Sequence, residues 1–104
     1  MKRQLYFEVI LYDNQTKLWK VTDEDTGNCI IFTVTSVGDV SFVMSANKFP
    51  YSKALHELTH QEGRRLHISI PQTNKEYRSV IEKTANVTKV PCNGISFQMY
   101  YLNP

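Results

Sequence analysis

Nowhere in its 104 residues does the chain hold an apolar run close to the ~20 that a membrane-crossing helix needs. No positively charged segment leads into a short apolar core with a small-residue cleavage site, so an intracellular address is the default. Met1-Lys2-Arg3-Gln4 instead runs straight into a strand pattern. Cysteine is scarce. Cys29 and Cys92 stand 63 residues apart with no Cys-x-x-Cys pair, and both read as free thiols. Glycine and proline number only four each, and no repeat or low-complexity tract accompanies them. A dominant charge is lacking too. Twelve Lys and Arg against ten Asp and Glu leave +2, which permits an anionic partner without demanding one.

What is present is an ordinary globular balance, 41% hydrophobic and 21% charged, and that excludes a wholly disordered chain. The length suits one domain with a modest core. The pattern is organised around Leu18 to Val34. Trp19 and Val21 share one side of a first arm, Asp23 to Asn28 forms a polar turn around Gly27, and Ile30, Phe32 and Val34 alternate along a second arm. Before this hairpin, Leu5, Phe7, Val9 and Leu11 read as inward and Tyr6, Glu8, Ile10 and Tyr12 as outward. After it comes a short strand through Val40, Phe42 and Met44. Tyr51, Ala54, Leu55 and Leu58 then lie at helical spacing, and Gly63 supplies the stop. Leu66, Ile68 and Ile70 mark the next strand. Glu76 to Val90 reads either as a turn or two of helix or as a strand. A last strand places Ile95, Phe97, Met99 and Tyr101 on one face, and Phe7, Phe32, Phe42 and Phe97 fit core slots.

The run from Trp19 to Gly27, apolar-x-Val-x-Asp-x-x-Thr-Gly ahead of a β-branched strand, resembles the central hairpin of OB-folds like those of replication protein A. The stretch His60 to Ile70 looks like the helix–glycine–strand junction of such domains. The resemblance implies an all-β fold with one α-helix, an OB-like five-stranded Greek-key barrel forming a single domain over residues 1–104. It implies a non-enzymatic module for single-stranded nucleic acid in replication or repair, DNA favoured over RNA, with no cofactor and no membrane partner. The binding face of OB barrels nominates Lys17, Trp19, Lys20, Arg65 and His67, and the following loop nominates Lys75, Tyr77 and Arg78. Cations would follow the phosphates while rings stack on bases. Each nomination has a plainer reading. Trp19 shares the parity of Val21, which favours the core, and scattered lysines are a normal solvated surface.

Two other functions stay open. An adaptor would dock a protein partner, within a larger complex, on an exposed edge strand or aromatic surface. A zinc peptidase is suggested by His56-Glu57-Leu58-Thr59-His60, which matches H-E-x-x-H, with His56 and His60 as ligands and Glu57 as base. Gly63 fits the extended form of that motif, but the third histidine, His67, falls one residue late. At 100° per residue His56 and His60 lie roughly 130–170° from the apolar stripe of their helix, where a solvated polar face explains them without metal.

Overall fold

A computed structural model describes residues 4–46, 48–91 and 95–104. The chain divides into two compact units, Met1–Pro50 and Tyr51–Pro104.

The first unit is an antiparallel meander of β1 (Leu5–Tyr12), β2 (Thr16–Asp23), β3 (Cys29–Thr35) and β4 (Val40–Met44), in that spatial order. Its turns are set by side chains that bind their own backbone. Asp13 accepts the N–H groups of Gln15 and Thr16 at 2.9 and 2.8 Å, and those bonds hold its carboxyl below the ordinary range. Asp23 accepts the N–H of Asp25, and its carbonyl accepts that of Gly27, whose φ of 78° a side chain would strain. Trp19, Val21, Ile30, Phe32 and Val34 are buried, as the alternation of the hairpin predicts, and so is Val40 on β4. Each such burial is worth roughly 1.5–3 kcal/mol. Phe32 packs on Phe42, and Phe7 meets Trp19 edge to face.

β1 departs from its expected parity. Its register on β2 shifts between Val9 and Leu11, leaving Ile10 as the extra residue of a bulge. Beyond the bulge Leu11 opposes Leu18 while Tyr12 opposes Lys17, so each falls on the face opposite to the one alternation assigned. Leu11 and Tyr12 are both exposed.

The second unit is α1 (Tyr51–Glu62), β5 (Leu66–Pro71), α2 (Lys75–Glu82), β6 (Val87–Val90) and β7 (Phe97–Leu102). The strands form an antiparallel sheet in the order β5-β7-β6. α1 buries Ala54, Leu55 and Leu58 and ends where Gly63, at φ 68°, donates its N–H to the Thr59 carbonyl. The ambiguous stretch after Pro71 is both things in turn. Asn74 caps α2 by accepting the Tyr77 N–H at 3.1 Å, and Val87 then opens a strand. Ser52 on α1 donates to the Val80 carbonyl on α2 at 2.9 Å.

The protein is therefore mostly β, with two sheets, seven strands and two helices among the described residues. This corrects the expected five-stranded closed barrel with a single helix. Among the described residues β1 hydrogen-bonds to β2 alone and β4 to β3 alone, so the meander ends in two edges. The hairpin that carried the likeness to OB domains is present, but a hairpin constrains its own two strands and not their closure. No described helix is long and apolar enough to cross a membrane. Cys29 is a free thiol at the start of β3, while Cys92 lies outside the described residues.

Candidate functional site

β7 is the central strand of its sheet, hydrogen-bonded to β5 along one edge and to β6 along the other. Gln98, Tyr100 and Leu102 are buried there, which is the reverse of the parity read from Phe97, Met99 and Tyr101. Gln98 misleads because it is polar, yet its amide is satisfied where it sits. It donates to the carbonyls of Val90 at 2.7 Å and Met99 at 3.0 Å. Tyr100 resolves the parity. Its hydroxyl donates to Glu82 on α2 at 2.6 Å, so α2 covers the face that carries Tyr100. Lys89 stands 3.7 Å from the same carboxylate. Burial, then the bond to Glu82, pushes the Tyr100 phenol well above the usual tyrosine range. The Tyr100 hydroxyl holds the Glu82 carboxyl below its ordinary value against partial desolvation, with Lys89 and Arg78 adding to the effect.

Successive side chains alternate across a sheet, so Phe97, Met99 and Tyr101 occupy the outer face, away from α2. Phe97 is 49% exposed. Register adds Ser69 and Val90 beside Met99, and His67 and Thr88 beside Tyr101. Arg65, one step before β5 and of the same parity as His67, lays its guanidinium over the Tyr101 ring at 4.2 Å. Its neighbour Arg64 is engaged elsewhere, bonded to Glu62 at 3.2 Å. The paired arginines of the sequence thus have different partners. Among the described residues in this register no acidic side chain shares the face with Arg65.

The sequence-nominated residues fall on three surfaces. Arg65 and His67 meet on the outer face just described. Lys75 and Arg78 belong to α2, where they line a groove of about 260 Å³ with Ser79, Glu82 and Lys83, on the opposite side of the sheet. Tyr77 is half-buried on the same helix, not in a loop, because Asn74 starts a helix there. Lys17, Trp19 and Lys20 lie on β2 of the first unit. Trp19 is 7% exposed and meets Phe7 edge to face, so its ring is buried and offers no stacking platform. Lys17 shares its side of the strand, with Nζ 5.8 Å from the Tyr12 ring and 6.0 Å from the Trp19 ring. Lys20 is on the other face, in register with Glu8 and Ile31. Sequence reading missed Phe97 and Tyr101 as site residues. The available signal was that β7 is apolar in both parities, so one apolar set had to face outward.

His56 and His60 project from α1 with their Nε2 atoms 3.3 Å apart. Glu57 is held by Lys53 at 3.9 Å. No cluster of three or more His, Cys, Asp or Glu residues able to hold a metal ion occurs among the described residues, and His67 does not join the pair. No family model, curated protein or solved structure matches the chain.

Proposed function

We propose that the protein is a non-catalytic module for single-stranded nucleic acid, and that the outer face of the β5–β7–β6 sheet is its platform. The observation that carries this reading is the Arg65–Tyr101 stack on the same face as exposed Phe97. Unpaired bases stack on aromatic rings and on guanidinium planes, and an exposed sheet face presents both in a fixed array. Phe97 and Tyr101 lie about 13 Å apart along the strand. The absence of acid from the described face removes repulsion against phosphate. Lys17, Trp19 and Lys20 have no part in it. Nor does the reading lean on the likeness to replication-protein-A-type OB domains. Titration of a labelled oligonucleotide against Arg65→Glu tests it. A weakening of more than tenfold supports the platform, and unchanged affinity removes it.

A second reading has its own observation, the apolar edge of the first unit. β1 is an edge strand whose exposed residues include Tyr6, Val9, Ile10, Leu11 and Tyr12, the last at 67%. Such an edge offers unpaired backbone groups to an extended peptide, which would add as a fifth strand. An apolar β-strand peptide that binds wild type and not Leu11→Lys supports the adaptor. A peptide that binds both equally, or neither, counts against it.

A further inference from the structure

The H-E-x-x-H match finds no use in nucleic-acid binding, yet its two imidazoles are arranged for chelation. Residues four apart stand one helical turn from each other on the same face, and here the rings converge with centroids 4.9 Å apart and Nε2 atoms at 3.3 Å. A tetrahedral zinc ion with Zn–N bonds of 2.0–2.1 Å needs its ligand nitrogens about 3.3–3.4 Å apart. The observed separation therefore matches one edge of that tetrahedron.

The same distance also serves an Nε2–H···Nε2 bond between the two rings, so an ion that binds here displaces that hydrogen, which moves to Nδ1 of the donating ring. Nδ1 of His56 is buried, which leaves its Nε2 as the nitrogen available to an ion. His60 is exposed, so an ion reaches the pair from solvent. We propose that His56 and His60 form a two-ligand site for a divalent transition-metal ion of the zinc class, its other positions open to water or to a donor from a bound molecule. Imidazole donors select such ions over magnesium and calcium, which prefer oxygen. Two features separate this site from a peptidase centre. Catalytic zinc has three protein ligands, and no third joins the pair among the described residues. Among those residues the His56 Nδ1 also lacks the hydrogen-bond acceptor that normally stiffens a ligating ring, which makes for a weak, exchangeable site.

The test is calorimetric titration of Zn²⁺ into the full chain, repeated with His60→Ala and with Cys29→Ser. Wild type takes up one ion per chain in a saturable step. His60→Ala weakens that step by more than about tenfold, the least expected when losing even an outer-shell partner costs 10–100-fold. Cys29→Ser binds as wild type. Absence of saturable uptake by wild type overturns the proposal, as does His60→Ala binding with unaltered affinity or Cys29→Ser losing the site.

Discussion

β1 and β7 are written in nearly the same way, Leu5-Tyr-Phe-Glu-Val-Ile-Leu-Tyr12 and Phe97-Gln-Met-Tyr-Tyr-Leu102, with apolar residues in both parities, and the molecule uses them differently. β7 lies at the centre of its sheet with α2 over one face. One of its sets is buried, and the other is paired in register on the outer face. β1 lies at an edge, and its bulge throws Leu11 to one side and Tyr12 to the other. A central strand turns surplus apolar residues into an ordered display. An edge strand leaves them as an open flank on which a further strand can pair. The two readings of function follow from this difference.

The sharpest way to test the comparison is to truncate one buried and one exposed phenylalanine. Phe32→Ala should cost about 3–5 kcal/mol of unfolding free energy in urea, whereas Phe97→Ala should stay within about 0.5 kcal/mol of wild type. Similar losses at the two positions would mean that Phe97 belongs to the core. Next in size, Tyr101→Ala should remove about 1–3 kcal/mol of oligonucleotide affinity, a factor of roughly 5–150 by fluorescence anisotropy. A change of that size in folding stability instead would make Tyr101 a structural residue.

The buried set on β7 has a pH signature. Glu82 has its folded pKa depressed, so its contribution is complete above the ordinary value of 4.5 and is lost as pH falls through the lowered value. Tyr100 has its folded pKa raised, so its contribution is complete below 10.0 and is lost as pH rises toward the raised value. Urea midpoints of Tyr100→Phe should therefore fall off less than those of wild type at both extremes. Curves of identical shape would show that the bond is not maintained in solution. The smallest effect is expected from Lys20→Glu, which sets a like charge against Glu8. It should cost about 0.2–1 kcal/mol of stability and leave oligonucleotide affinity within twofold. A tenfold loss of affinity would bring the first unit back into the binding face.

The hairpin, α1 with its Gly63 stop, and the inward set of β5 were legible because each has one apolar parity or stripe and a residue that ends it. β1 and β7 were not, since a period-2 pattern fixes orientation only when one parity is polar. Gln98 tipped the reading the wrong way. Nothing local foretells that a buried amide will find the Val90 and Met99 carbonyls. Sheet closure was equally hidden, because it depends on pairings between distant strands. Of the nominated residues Arg65 and His67 do share a surface. Trp19 is core, as the parity it shares with Val21 favoured, and Lys17 lies on the same side of β2. The partner of Arg65 could not be seen until β7 was set beside β5.

The central claim is that bases stack on the Tyr101–Arg65 face with few phosphate contacts. Anisotropy titration of a labelled single-stranded oligonucleotide across a series of salt concentrations, for wild type and Tyr101→Ala, addresses it most directly. A shallow salt slope of about −0.7 to −1.4, as one or two phosphates give, is expected, with an affinity that depends on the Tyr101 ring. No binding at the lowest salt, or a steep slope that Tyr101→Ala leaves untouched, would contradict it.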